Sequence, residues 1–77
     1  MPHKPELFLP KGGMEGAEVR FALEKMGNDG VRIQHTDERI PKLVFPHGHG
    51  GERELIGAEA VVAGLREVHR LAEERRR

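Results

Sequence analysis

Residues 11–16, here called the glycine loop, are the first place in the chain where residue types and spacing could do chemistry. They read Lys-Gly-Gly-Met-Glu-Gly and join a short apolar segment to a predicted helix. Successive glycine N–H groups can form a concave nest for an anion. Lys11 and the positive end of the helix dipole would add positive charge to this nest. Phosphate, a carboxylate or a glutathione-like tripeptide would suit such a nest. An ordinary turn at the start of the helix is the simpler interpretation, because the spacing matches neither a P-loop nor a dinucleotide fingerprint and Glu15 already occupies the favourable first turn.

A second candidate is the pair His47 and His49 in a glycine-rich loop. Two neutral imidazoles could bind Zn²⁺, Ni²⁺ or Cu²⁺, but a zinc site takes three or four ligands. His3, His35 or His69 would have to supply a third, and nothing in the sequence brings one close. We therefore expect a solvated hairpin loop at His47 and His49, and partly buried structural roles for His35 and His69 beside predicted apolar faces.

Composition excludes several classes of function. The chain has no cysteine, so it has no thiolate nucleophile, disulfide or Cys-ligated zinc. Thirteen basic residues balance thirteen acidic ones, and nucleic-acid binding is not expected without a basic excess. No apolar run approaches the about 20 residues of a membrane helix, and the first residues do not resemble a signal peptide. These features predict a cytoplasmic protein with no cofactor and no membrane contact.

Hydrophobic periodicity predicts six elements in the order β-α-β-β-β-α. The strands are expected at about residues 6–9, 31–35, 42–45 and 53–56, and the helices at about 14–26 and 58–75. The first helix is predicted to bury a wide apolar face made of Ala17, Val19, Phe21, Ala22, Leu23 and Met26. The chain is expected to be one α+β domain with an ordered core at about 6–72 and flexible ends at 1–5 and 74–77. Two helices would pack on one face of a four-stranded mixed sheet.

The strand order is only partly determined by the connections. The first strand, helix and second strand should form a right-handed parallel unit, and the last two strands a hairpin. Strand three could pair with strand two or lie on the other side of strand one. The 36–41 connection can span at most roughly 20 Å. Crossing one intervening strand needs only about 10 Å, so both arrangements are open.

The chain resembles the thioredoxin-like superfamily, and its glutaredoxin-like branch most closely. Residues 7–12 look like the first strand and the approach to the Cys-x-x-Cys loop, and residues 13–16 occupy the Cys-x-x-Cys positions. Residues 40–45 look like the strand that begins at the cis-proline, with Pro41 as that proline, and residues 54–59 look like the last strand turning into the last helix. The helix between the second strand and the proline is missing, as in small selenoprotein-W-like members.

The resemblance implies a redox-inactive member that acts as a protein- or peptide-binding module. Dithiol exchange needs a thiolate, which this chain lacks. In the family, the backbone before the proline pairs with an extended peptide. The resemblance implies that the peptide bond before Pro41 is cis; the alternative is an ordinary trans proline at the start of a strand. The candidate binding residues are Lys11, Gly12, Gly13, Met14, Gly16, Ile40 and Pro41. The alternative is a small anion- or metal-binding protein, and strand edges or uncovered apolar residues could also support a homodimer.

Overall fold

A computed structural model describes residues 4–27, 30–46 and 52–75 and contains all six predicted elements in the predicted order. The elements are β1 (Glu6–Pro10), α1 (Gly13–Met26), β2 (Arg32–Thr36), β3 (Lys42–Pro46), β4 (Glu52–Ile56) and α2 (Ala58–Arg75). Every boundary lies within one residue of its prediction. The α+β class is confirmed. His47, His49 and most of the predicted flexible ends lie outside the described residues.

The sheet has four strands in the order β2-β1-β3-β4. β1 runs parallel to β2, with Leu7 opposite Ile33, and antiparallel to β3, with Leu7 opposite Leu43. β3 and β4 form the predicted antiparallel hairpin. The position of β3, which the sequence left open, is therefore determined. β3 lies beside β1, on the side away from β2, and the 37–41 loop crosses the end of β1.

Aliphatic side chains fill the core between one face of the sheet and the two helices. The buried residues are Leu7, Leu9, Val19, Val31, Leu43, Ala58, Val61 and Leu65. Leu7 and Leu9 alternate with the partly exposed Glu6 and Phe8, which is the period-two pattern of a strand with one buried face. At Gly64 of α2, a Cβ would lie 2.8 Å from Leu43 Cδ2. The absence of a side chain at this residue therefore lets α2 pack close to the sheet.

The prediction of a wide buried face on α1 is wrong in part. Val19 is fully buried, but Ala17 is exposed and Phe21 is 59% exposed. At 3.6 residues per turn, Ala17 and Phe21 lie almost opposite Val19 on the helix. Because one helix can bury only one stripe, they face solvent, where Lys25 Nζ lies 4.6 Å from the centre of the Phe21 ring.

In the described part of the chain, no helix covers the other face of the sheet, which carries charged and polar groups around Phe8. Lys42 Nζ lies 5.0 Å from the Phe8 ring centre and 3.8 Å from Glu54. Gln34 Nε2 donates to Glu6 at 2.7 Å. This face is a solvated surface, as the strand pattern predicts.

The two predicted structural histidines differ in their surroundings. His69 of α2 is half-buried, as predicted, and its Nε2 lies 3.2 Å from Glu73. His35 is exposed, contrary to prediction. It lies on β2, an edge strand, whereas the helices in the described residues pack on β1, β3 and β4.

Candidate functional site

The glycine loop and the 37–41 loop leave the sheet side by side. The Lys11 N–H donates to the Thr36 carbonyl at 3.0 Å, which extends the parallel pairing of β1 and β2 to the first residue of the glycine loop. β3 begins at the same end, because Lys42 lies opposite Phe8 and residues 40–41 continue toward the end of β1. In open sheets with parallel strands, the crevice beyond the carboxyl ends of those strands is the usual ligand position.

The two loops line an open cavity of about 610 Å³ at this end of the sheet, here called the site end. Its lining residues are Lys11, Gly12, Gly13, Met14, Glu15, Asp37, Glu38 and Arg39. Four predicted binding residues, from Lys11 to Met14, lie on this cavity. In the sequence, Asp37, Glu38 and Arg39 resemble the polar residues of any short connection. Their position directly after a strand parallel to β1 is the signal that could have identified them.

Gly13 begins α1 with φ +86°, a left-handed conformation that favours glycine. A Cβ at this residue would meet no atom within 4 Å, so glycine is needed here for the backbone and not for space. The preceding residue, Gly12, has extended backbone (φ −144°, ψ −172°), which any residue adopts. The first position that the resemblance assigns to cysteine therefore has a conformation unsuited to a side chain.

Gly16 is buried, for a different reason. A Cβ there would lie 2.9 Å from the Pro10 carbonyl oxygen, closer than real Cβ contacts. Arg20 Nη1 donates to that same oxygen at 2.8 Å. The second position that the resemblance assigns to cysteine is thus packed against Pro10 and Arg20, and it has no room for a cysteine side chain.

Glu15 links the glycine loop to the start of α2. Its Oε1 accepts a hydrogen bond from the Ala58 N–H at 3.0 Å, although the two residues are 43 positions apart. The neighbouring Gly57, at φ +98°, donates its N–H to the Pro41 carbonyl at 3.0 Å. These bonds join the glycine loop, the start of α2 and the Pro41 segment. The Glu15 carboxylate therefore caps α2, which the sequence interpretation, limited to the dipole of α1, missed.

Pro41 and Ile40 occupy the site end in different ways. Pro41 is fully buried, whereas Ile40 is 49% exposed. No cis peptide bond occurs in the described residues, so the cis-proline that the resemblance implies is wrong for this chain. Trans is the usual state of an X–Pro bond, and the 37–41 loop reaches β3 without a cis bond. Within the described residues, the backbone of Ile40 makes no hydrogen bond to another backbone group.

The charges at the cavity do not favour an anion. Lys11 Nζ lies 3.3 Å from Asp37 Oδ1, with both side chains well exposed. The lining also holds two further carboxylates, Glu15 and Glu38, and one further cation, Arg39. A negatively charged ligand would therefore meet an already paired lysine and neighbouring carboxylates.

Exposed apolar side chains concentrate at the site end. Met14 is 90% exposed and lines the cavity, and Ile40 directly follows the lining residue Arg39. Ile56, at the end of β4, is 60% exposed and lies opposite Lys42 at the same end. Apolar groups grouped beside a cavity are typical of an interaction site, whereas single scattered ones need no explanation.

The metal alternative gains no support from the described residues. They contain no group of three or more histidine or acidic residues that could hold a metal ion. The His47 and His49 pair lies outside them. Across 4–27, 30–46 and 52–75, no helix is long and apolar enough to span a bilayer.

No protein-family model matches this chain, and no curated protein shows significant similarity to it. The chemistry and geometry of the site end are therefore the basis for a functional proposal.

Proposed function

We propose that this chain is a thioredoxin-like domain without redox activity, and that it binds an extended segment of another protein at the site end. The observation that carries the proposal is the exposure of two apolar side chains, Met14 and Ile40, one on each of the two loops that line the open cavity. Binding sites of this kind combine apolar contact area with a few backbone groups that orient the ligand.

The strand arrangement supports the thioredoxin-like part of the proposal. Such a fold requires the proline-led strand to lie beside the first strand, with residues 13–16 and Pro41 at one end of the sheet. A pairing of β3 with β2 would have contradicted it. The order β2-β1-β3-β4 and the hydrogen bonds at Glu15 and Gly57 are consistent with that requirement.

The backbone of Ile40 supports a mode of binding. Its N–H and carbonyl groups make no backbone hydrogen bond in the described residues, and its side chain is half exposed. An extended peptide could pair with these groups by strand addition, in which backbone hydrogen bonds give affinity and alternate side chains give specificity. The partner's apolar side chains would then rest on Met14 and Ile40.

The proposed function does not include thiol chemistry. The chain has no cysteine, and Gly13 and Gly16 occupy the positions that the resemblance gives to the redox pair. The left-handed backbone at Gly13 favours glycine, and the close packing at Gly16 leaves no space for a larger side chain.

Selection of peptides from a random display library on the immobilised chain tests the proposal. Selected peptides should bind the wild type and lose at least about tenfold in affinity when Met14→Lys or Ile40→Lys removes apolar contact area. Leu71→Lys is the matched control, because Leu71 is also exposed, at 42%, but lies late in α2. Peptides that bind all four proteins equally well, or a failure to select any peptide, would refute the proposal.

A further inference from the structure

We infer that α1 carries a self-complementary surface through which two copies of this chain form a weak antiparallel dimer. This surface, here called the α1 face, consists of Ala17, Glu18, Phe21 and Lys25 on the side of α1 that faces away from the sheet. All four residues are exposed, and none of them lines the cavity at the site end. The inference therefore does not depend on the proposed function.

The apolar centre of the α1 face is Phe21, whose side chain is exposed while Phe8 and Phe45 are partly buried. Ala17, one turn before Phe21, leaves space beside the ring. Lys25, one turn after it, holds its ammonium group 4.6 Å from the centre of the ring. A large side chain next to a small one suits the close packing of one helix against another.

Two opposite charges flank Phe21 on the same side of α1. Glu18 lies three residues before Phe21 and Lys25 four residues after it. Seven residues make nearly two turns, so the two side chains start about 10 Å apart along the helix, beyond the one-turn spacing of helical ion pairs. The ion pairs found within the described residues involve neither of them. Both charges are therefore available to a partner.

A second copy of the chain presents the charges that this pattern needs. In an antiparallel pair related by a two-fold axis through Phe21, each side of α1 faces the same side of the other helix. Glu18 then lies opposite Lys25 of the other copy, to within one residue, and the same contact occurs twice. The two Phe21 rings meet near the axis, where offset stacking is favourable. A parallel pair would instead place like charges opposite one another.

The rest of the helix layer is compatible with this arrangement. On α2, the exposed Arg70 is already paired with Glu67 and Glu74 of the same helix. On α1, Met14 lies seven residues from the proposed axis, whereas the helix ends at Met26, five residues to the other side. Met14 therefore lies beyond the end of the other copy's helix, and both site ends remain accessible at opposite ends of the helix pair.

The size of the α1 face determines the strength of the dimer. Stable interfaces bury about 1,200–2,000 Å² in total, and four residues on one helix cover less than half of one side of such an interface. We therefore expect a dissociation constant on the order of 0.1–1 mM. Sedimentation equilibrium of the full chain from about 10 μM to about 2 mM should show the average mass rising from that of the monomer toward that of the dimer.

Charge reversal on the α1 face tests the register. Glu18→Lys and Lys25→Glu should each weaken association at least about fivefold at low salt, because each places like charges opposite one another. The double variant Glu18→Lys/Lys25→Glu should restore association to within about threefold of the wild type, since the opposite charges meet again. Phe21→Ala should weaken association at least about tenfold, because it removes the apolar centre of the contact.

Arg32→Glu is the matched control for Lys25→Glu, because it makes the same charge change on an exposed residue that lies with Phe8 on the helix-free face of the sheet. It should associate like the wild type. Met14→Lys should also dimerise normally, which separates this surface from the proposed peptide site. A wild type that stays monomeric at about 2 mM would overturn the inference. Association that survives Phe21→Ala, or a double variant no better than the single reversals, would overturn it as well.

Discussion

At the scale of single residues, the glycines at the site end have separate physical roles. Gly13 supplies a left-handed backbone where α1 begins, and Gly16 supplies space against Pro10. Gly12 has neither constraint. The sequence shows three glycines in five residues, but it cannot distinguish these roles, because each depends on the path of the chain between β1 and α1.

Gly13→Ala should destabilise the fold by about 1–2 kcal/mol, because an alanine Cβ is unfavourable in a left-handed conformation. Gly12→Ala is the control and should change stability by less than about 0.5 kcal/mol, since its backbone is extended and its surroundings are open. Urea unfolding at constant m-value measures both. Equal effects of the two substitutions would contradict the assigned roles.

Gly16→Ala should be destabilising by about 1–3 kcal/mol, because its Cβ would come within 2.9 Å of the Pro10 oxygen and disturb the Arg20 hydrogen bond. Thermal unfolding should show a lower midpoint than for Gly12→Ala. If Gly16→Ala were as stable as the wild type, the close packing described for this position would be wrong.

At the scale of elements, local pattern was sufficient to predict all six helices and strands, because the turns between them contain Gly, Pro or Asp and because α2 and the first strand have a clear period. The pairing of β3 with β1 was not predictable, because the 36–41 connection is long enough for either neighbour. The Glu15 cap on α2 was missed for a related reason: a contact between residues 43 positions apart depends on the completed fold.

Glu15→Ala should destabilise the protein by about 1 kcal/mol, because it leaves the Ala58 N–H at the start of α2 without its side-chain acceptor. Glu15→Gln keeps an acceptor oxygen and should retain most of that stability. Glu18→Ala, an exposed glutamate three residues further along α1, should have little effect. Chemical denaturation of the variants separates the cap from the helix-dipole effect, because Glu15→Gln removes the charge and keeps the acceptor. A loss in Glu15→Gln as large as that in Glu15→Ala would favour the dipole alone.

The charged cluster on α2 predicts a pH effect of known sign. Hydrogen bonding and the charge of Arg70 lower the pKa of Glu67 from its usual value, and Arg70 also bonds Glu74 at 2.9 Å. A lowered pKa in the folded state adds stability that is present above the unfolded pKa of about 4.5 and is lost as the pH falls through the folded value. The urea midpoint of the wild type should therefore exceed that of Arg70→Gln at pH 7, and this gap should shrink below about pH 4. A gap that grows in acid would contradict the assignment.

At the scale of the whole molecule, three of the five large apolar side chains that the described residues leave exposed, Met14, Ile40 and Ile56, lie at one end of the sheet. The glycine loop and the Pro41 segment could be identified from sequence as a candidate pair because the thioredoxin-like resemblance places them together. Residues 37–39 of the cavity lining could not be identified from sequence, since they resemble any polar turn until the strand order is known.

Chemical-shift mapping of the ¹⁵N-labelled chain with a selected peptide tests the central claim most directly. Binding at the site end predicts that the largest amide shifts fall in residues 11–16 and 37–40, with small shifts at Phe8 and Glu54 on the helix-free face of the sheet. The same peptide should produce no such shifts in Met14→Lys. Largest shifts on the helix-free face, or along the last turns of α2, would contradict the proposed function.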